Sequence, residues 1–196
     1  MASGNLDWPW KTRESPRDGL SLSMDNWDGW SLPSPPCPPQ NVRNLDLRRL
    51  PYFSNFALLR EFRIVERLRL HELGRIQNLN FLGSMRRLRH LRISALFHAV
   101  DYGGIRDLPC LEHLEIFSLE GPRDLTFLRG CDALRSLIIA GAEIEAPALE
   151  FLHHNLPSLQ RFEACGFHNI PDLKPFEALA RARPDAIIRF EDHVIE

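Results

Sequence analysis

Apolar residues recur along this chain with a period of 23 residues. Counting from Leu114, steps of 23 residues reach Leu91, Leu68 and Leu45 in one direction and Leu137 in the other. Each of these leucines is the fourth residue of a similar segment: VRNLDLRRL, VERLRLHEL, LRHLRISAL, LEHLEIFSL and LRSLIIAGA. A sixth segment, LQRFEACGF, begins 25 residues after the fifth, so the repeats start at residues 42, 65, 88, 111, 134 and 159. Such periodicity predicts a solenoid of stacked units.

The apolar pattern inside one repeat predicts its local structure. Positions 1, 4, 6, 9, 15 and 18 are apolar in all six copies. Positions 4 and 6 have the alternation of one strand face, whereas positions 15 and 18 have helical spacing. Five of the six residues at position 14 are Asn or Asp, for example Asp124. Because such side chains bond the free N–H groups at a helix start, each repeat is predicted to be a strand, a turn and a capped short helical segment.

These segments resemble the leucine-rich repeat, L-x-x-L-x-L-x-x-N/C-x-L, over roughly residues 42–176. The resemblance implies an α/β fold: a leucine-rich-repeat solenoid, curved as a right-handed stack, with a parallel β-sheet on its concave face and short helices or 3₁₀ turns on its convex face. Position 9 departs from the family, since leucine replaces Asn or Cys in the first four repeats. The backbone groups of that turn are then expected to find other partners.

The stretch from Leu59 to Ile64 also fits L-x-x-L-x-L, but it lies out of phase and is not predicted to be a strand.

The ends of the chain are expected to cap the stack, whose terminal faces are apolar. Four parts are predicted: a disordered tail (1–18), an N-terminal cap with a proline-rich link (19–41), the leucine-rich repeats (42–186), and a C-terminal cap strand and tail (187–196). In the N-terminal cap, an irregular strand is expected near Leu20, with Trp27 and Trp30 covering the first repeat. The segment PFEALARAR is predicted to be a helix ended by Pro184, and AIIRF the last strand.

Composition narrows the class of function. The 196 residues carry a net charge of −2, so no global field draws the chain to nucleic acid or to a membrane. The four cysteines form no CxxC pair and no zinc-spaced cluster with histidine. The polar N-terminus lacks the apolar core of a secretory signal, and no run of about 18 apolar residues exists. We expect a cytoplasmic protein with reduced thiols and no cofactor.

The sequence lacks the common catalytic motifs. It contains no GxxxxGK[ST], GxSxG, HExxH or GxGxxG. Cys110 and Cys131 are 21 residues apart and not 23, so they do not occupy the same position of two successive repeats. No catalytic, cofactor-binding or metal residue is therefore predicted. His90 and His113 are expected to be neighbours on adjacent strands, but no carboxylate or cysteine completes a ligand set in the sequence pattern. Their protonation near pH 6 is a hypothesis for modulating partner binding.

Function is expected on the outer surface of the sheet, where positions 2, 3, 5, 7 and 8 point away from the core. The first three repeats place seven arginines there against three carboxylates, a local charge of +4. Repeats four and five instead place Phe117 and Ile138 there, an apolar candidate hot spot. The predicted partner-binding residues are Arg43, Arg67, Arg69, Arg89, His90, Arg92, His113, Glu115, Phe117 and Ile138.

The predicted function is non-catalytic protein–protein recognition through the concave face, by a monomer. The resemblance leaves two alternatives open: the ligand-sensing part of a larger receptor of the NTPase type, or a ubiquitin-ligase adaptor. The arginine patch leaves open an acidic protein surface or another anionic ligand. Nucleic acid is less favoured, because this face has little aromatic interleaving for stacked bases. A repeat stack that has lost its partner is the remaining alternative.

Overall fold

The computed structural model describes residues 9–96, 101–106, 108–117, 122, 124–141, 144, 146–165, 173–190 and 193–195. Within them, one sheet contains ten strands in chain order: β1 (Trp10–Ser15), β2 (Gly19–Asp25), β3 (Val42–Leu50), β4 (Arg67–Leu73), β5 (His90–Ser94), β6 (His113–Phe117), β7 (Ser136–Ala140), β8 (Arg161–Cys165), β9 (Ile187–Phe190) and β10 (His193–Val194). The connections contain 3₁₀ segments at Pro39–Asn41, Ala57–Glu61, Asn80–Ser84, Tyr102–Ile105 and Thr126–Leu128, and helices α1 (Ala146–Asn155) and α2 (Lys174–Ala182).

The pairing of the strands follows the repeat. Strands β2 to β9 run parallel, while β1 and β10 pair antiparallel with their neighbours at the two edges. Leu45 pairs with Leu68, Leu68 with Leu91, and the ladder continues through Leu114 and Leu137. Adjacent strands therefore align at the 23-residue step of the sequence, which confirms the predicted strand register.

The core lies between the sheet and the returning segments. At positions 4 and 6 of the second repeat, Leu68 and Leu70 are 2% and 0% exposed. At positions 15 and 18, Leu79 and Leu82 are buried on the opposite side. One repeat cannot bury this surface alone, so stacking stabilises every unit through its neighbours. The out-of-phase segment forms a 3₁₀ turn at Ala57–Glu61 and not a strand, as predicted.

Polar side chains at position 14 cap the 3₁₀ segments. Three of them accept a hydrogen bond from the N–H two residues ahead: Asn78 from Asn80 at 3.2 Å, Asp101 from Gly103 at 2.8 Å, and Asp124 from Thr126 at 2.8 Å. The Thr126 hydroxyl also donates to Asp124, and these bonds lower the pKa of the Asp124 carboxyl below its ordinary value. The predicted capping role is confirmed at these positions, while Asp172 lies outside the described residues.

At the end of the strand, position 8 is left-handed in the four repeats where the structure describes it. This conformation occurs at Arg49 (φ 50°), Glu72 (φ 53°), Ala95 (φ 52°) and Gly141 (φ 76°). The residue that follows then points into the core, as Leu50 does at 0% exposure. The turns bond to the chain beside them: the Gly74 N–H donates to the Leu50 carbonyl at 3.2 Å. The expectation that these backbone groups find partners without Asn or Cys is thereby confirmed.

Replacing Ala95 with glycine is expected to stabilise the protein by about 0.5–1 kcal/mol. The left-handed conformation costs an L-residue about 1–2 kcal/mol, and the greater freedom of glycine in the unfolded chain offsets part of that gain. Urea unfolding measures the difference. Ala140→Gly is the control, since Ala140 lies within β7 and glycine in a strand should cost about 0.5–1 kcal/mol. Equal destabilisation by both variants would contradict the strained turn.

The N-terminus corrects one prediction. The expected disorder of residues 1–18 is wrong for Trp10–Ser15, which form β1 and pair antiparallel with β2. Strand β1 presents four consecutive exposed residues, so in sequence it resembles a solvated tail. Residues 1–8 lie outside the described part of the chain. Strand β2 continues the parallel sheet ahead of β3, as the predicted cap should.

The tryptophans of the cap also differ from the prediction. Trp10 is buried, at 4% exposure, and its Nε1–H donates to the Pro33 carbonyl at 3.0 Å. Trp27 packs partly against the core, as expected, but Trp30 is 67% exposed and covers no repeat. The Trp10 ring lies beside Phe62 of the first repeat, with centroids 6.5 Å apart, and so has the covering role that the sequence pattern assigned to Trp30.

At the C-terminal end the predicted elements are present. Helix α2 ends at Ala182, before Pro184, and β9 occupies Ile187–Phe190 of the predicted last strand. Strand β10 then pairs antiparallel with β9. This hairpin closes the sheet at the end opposite β1 and β2.

Candidate binding surface

The outer face of the sheet carries two rows of side chains that core packing does not dictate. The position-3 row contains Ser21, Asn44, Arg67, His90, His113, Ser136, Arg161 and Ile187. The position-5 row contains Ser23, Asp46, Arg69, Arg92, Glu115, Ile138, Glu163 and Arg189. The structure brings the predicted row members together in the expected order and extends both rows onto β2 and β9.

Every arginine of the predicted patch has a carboxylate partner. The pairs are Arg43 with Glu66 (3.1 Å), Arg48 with Asp46, Arg49 with Asp25 (2.6 Å), Arg67 with Asp18 (2.9 Å), Arg69 with Asp46 (3.7 Å), Arg89 with Glu112 (2.9 Å) and Arg92 with Glu115 (2.9 Å). All are at least partly exposed, so solvent screens these pairs and they add little to stability. Their main effect is to offset the positive charge of the surface.

The predicted local charge of +4 does not describe this surface. The count from the first three repeats included Asp46, Glu66 and Glu72 only. The structure adds Asp18, Asp25, Glu112 and Glu115 from the hairpin and the neighbouring strands. Among these residues the seven arginines are matched in number by seven carboxylates. The reason for the error is that each of these four added carboxylates reaches its arginine from another strand or from the hairpin turn.

A groove of about 590 Å³ lies where the N-terminal hairpin meets the sheet. Residues of β1 and β2 form one wall, and the two rows of β3 to β6 form the floor. Arg67 holds the hairpin turn by donating to Asp18 at 2.9 Å, and this bond lowers the pKa of the Asp18 carboxyl. The Asn44 side chain donates to the Asp18 carbonyl at 2.8 Å. Lys11 and Arg13, which the sequence analysis did not select, add positive charge to the wall.

The apolar cluster of the surface consists of Phe117, Ile138 and Ala140, all half-buried. Phe117 pairs with Ala140 across β6 and β7. The guanidinium of Arg92 lies over the Phe117 ring, 4.7 Å from its centroid, in a cation–π contact. Arg92 therefore joins the charged rows to the apolar cluster. Ile187 on β9 is 48% exposed and adds a separate apolar side chain near the C-terminal edge, with Arg161 and Glu163 of β8 between it and the cluster. Sequence reasoning missed it, although its strand was recognised.

The histidine pair is positioned as expected. His90 and His113 pair across β5 and β6, and their rings stack with centroids 4.5 Å apart and an interplanar angle of 7°. Burial, and secondly the charge of His113, lowers the pKa of His90, which disfavours its protonation near pH 6. The sequence analysis found no carboxylate beside the pair, but Glu112 lies there: one ligand atom from each of the three residues falls within 4.8 Å of the others.

Two of the four cysteines lie in surroundings that disfavour a reactive thiolate. Cys131 is fully buried, and its Sγ–H donates to the Ile105 carbonyl at 3.3 Å. Burial raises the pKa of the Cys37 thiol, which disfavours the nucleophilic thiolate. These features fit structural roles.

The fold and the rows of its sheet define a leucine-rich-repeat solenoid. No family model matches the sequence, and no curated protein matches it. Among solved structures, an internalin (inlF) from Listeria monocytogenes is similar, with a TM-score of 0.60 and 15% sequence identity. The match covers 87% of this chain and 46% of that chain, so this chain spans less than half the length of the internalin. At this identity the likeness shows the fold. In the described residues, no helix combines the length and the apolar character needed to cross a membrane.

Proposed function

We propose that the chain is a non-catalytic module that binds a protein partner through the concave face of its sheet. One observation carries the proposal. Parallel strands hold two rows of side chains in a fixed register, and a charge-paired region lies directly beside the apolar cluster of Phe117, Ile138 and Ala140. Protein interfaces combine an apolar centre with a polar rim in this way.

The two parts of the surface would contribute differently to binding. An aromatic ring on a rigid strand can serve as a hot spot, since burying it costs little conformational entropy. Arg92 restrains the Phe117 ring and would order it before a partner arrives. The paired charges would supply specificity and steer association more than they add affinity. A partner with an apolar side chain ringed by polar groups fits this surface best.

The ion pairs of the arginines weaken the proposal of a general anion-binding patch. A phosphate ligand would have to break Arg–carboxylate pairs such as Arg92 with Glu115. Salt distinguishes the two kinds of partner. Binding through 6–10 phosphate contacts should fall by about 10³–10⁵ between 50 and 200 mM salt, whereas binding through the apolar cluster should change little.

The double variant Phe117→Ser/Ile138→Ser is expected to weaken partner binding by at least about 30-fold, equivalent to about 2 kcal/mol for loss of a hot spot. The control is Tyr52→Ser/Leu173→Ser, which removes two apolar side chains that are 53% and 41% exposed and lie outside the two rows. Wild type and both variants are used to capture partners from the cells that produce the protein, with quantification by mass spectrometry.

The comparison between the variants decides the outcome. A partner retained by the control and lost by the concave-face variant supports the proposal. A partner retained by both variants, or lost equally from both, contradicts it. Thermal unfolding of each variant shows whether the fold is intact, so that a loss of binding is not a loss of structure.

A further inference from the structure

Three potential metal ligands converge beside the groove, whose lining includes two of them, His90 and His113. His90 and His113 occupy the position-3 row on adjacent strands, with parallel rings 4.5 Å apart. Glu112 immediately precedes β6, and one ligand atom from each residue lies within 4.8 Å of the other two. In the described residues, this is the single cluster of three histidine, cysteine or acidic side chains close enough for a metal ion.

The backbone fixes the starting points of these side chains. The N–H groups of Glu112 and His113 both donate to the Arg89 carbonyl at 2.9 Å, and the His90 N–H donates to the Glu66 carbonyl at 2.9 Å. The three Cα atoms are therefore held by the ladder between the repeats. Ligand atoms on one tetrahedral ion are about 3.3 Å apart, given metal–nitrogen bonds of about 2.0–2.1 Å. Side-chain rotation alone has to close the remaining distance.

We infer that His90, His113 and Glu112 form a binding site for a divalent transition-metal ion, with Zn²⁺ as the best fit. The two imidazoles favour Zn²⁺ and its neighbours in the first row over Mg²⁺ or Ca²⁺, and Zn²⁺ also accepts a carboxylate as third ligand. Three protein ligands leave a fourth position. Because His90 and His113 line the groove, that position faces solvent or a bound molecule. The inference stands whether or not the concave face binds a protein.

Neighbouring arginines disfavour binding of a metal ion because they are positively charged. Substituting them should therefore change the affinity of the site for metal. Arg89 donates to Glu112 Oε1 at 2.9 Å, and Arg67 pairs with His90 on the adjacent strand. An incoming dication must share Glu112 with Arg89 and must overcome both positive charges. Removing Arg89 should therefore tighten metal binding, while removing the charge of Glu112 should weaken it.

The test is a calorimetric titration of the full untagged chain with Zn²⁺ alone, supported by the visible absorption of bound Co²⁺. We expect one ion per chain and a tetrahedral Co²⁺ spectrum. His90→Ala/His113→Ala should lose at least tenfold in affinity, and Glu112→Gln about tenfold, as is usual for loss of groups that support a metal site. Arg89→Ala should bind several-fold more tightly. Circular dichroism confirms that each variant is folded.

A second histidine pair provides the control. His153 and His154 also have ring centroids 4.5 Å apart, but their rings are tilted by 59° and they lie near the end of α1. His153→Ala/His154→Ala should leave the affinity unchanged. The inference is overturned if wild type binds no Zn²⁺, or if His90→Ala/His113→Ala binds it as tightly as wild type. Unchanged binding in Glu112→Gln, or equal or weaker binding in Arg89→Ala, would overturn the three-ligand set.

Discussion

Replacing Trp10 with alanine is expected to destabilise the N-terminal cap by about 3–5 kcal/mol, the usual cost of removing a large buried aromatic side chain. Trp10 is 4% exposed, and its ring centroid lies 6.5 Å from that of Phe62 in the first repeat. The substitution also leaves the Pro33 carbonyl without the hydrogen bond from Nε1–H. Because β1 presents mainly exposed side chains, Trp10 is its principal anchor to the core.

Two measurements follow this effect. Urea unfolding reports the loss of stability, and hydrogen exchange reports whether the amides of β1 and β2 open before the rest of the sheet. The control is Trp30→Ala: Trp30 is 67% exposed, and its backbone carbonyl, which accepts from Ser54 and Asn55, is retained. That variant should stay within about 0.5 kcal/mol of wild type. If both variants unfolded at the same urea concentration, the assignment of Trp10 as the cap residue would be wrong.

Gly104→Ala should also be strongly destabilising, by about 3 kcal/mol, at the upper end of the usual cost of overpacking. A Cβ atom on Gly104 would lie 1.9 Å from the carbonyl oxygen of Leu79 in the preceding repeat. That oxygen belongs to the backbone, so the two repeats must move apart to admit a methyl group. The glycine is therefore required by close approach of two repeats.

The control for this prediction is Gly83→Ala. A Cβ on Gly83 would meet nothing within 4 Å, and the residue lies in the equivalent 3₁₀ segment of the previous repeat. Reduced freedom of the unfolded chain should make this variant neutral or more stable by about 0.4–1 kcal/mol. The midpoints of thermal and urea unfolding are compared for both variants. Similar midpoints would show that the repeats are not in such close contact at Gly104.

The arrangement of the rows was predictable from sequence because the repeat length alone determines which residues are neighbours on adjacent strands. A constant step of 23 residues places His90 beside His113 and Arg92 beside Glu115 once the strands are parallel. The core positions follow in the same way, since the same step superimposes apolar residues. The capping by Asp124 was predictable because an Asx side chain acts on the N–H two residues ahead, within one segment.

The charge of the surface was not predictable by the same reasoning. Asp18 reaches Arg67 across 49 residues of sequence, because the turn between β1 and β2 lies against the start of β4. The hairpin itself escaped prediction, since β1 is anchored by one buried tryptophan and otherwise resembles a polar tail. Glu112 was overlooked as a ligand for a similar reason: its closeness to both histidines depends on side-chain directions at a strand start, which periodicity does not specify.

The central claim is that the concave face is the recognition surface, and site-specific photocrosslinking tests it most directly. A photoreactive phenylalanine analogue is placed at Ile138 in one sample and at Leu173 in another, and each is irradiated in the cells that produce the protein. Ile138 lies on the position-5 row, whereas Leu173 precedes α2 and is 41% exposed outside the sheet. The account predicts a discrete crosslinked protein from position 138 and none from position 173. Adducts from position 173 alone, or from neither position, would contradict it.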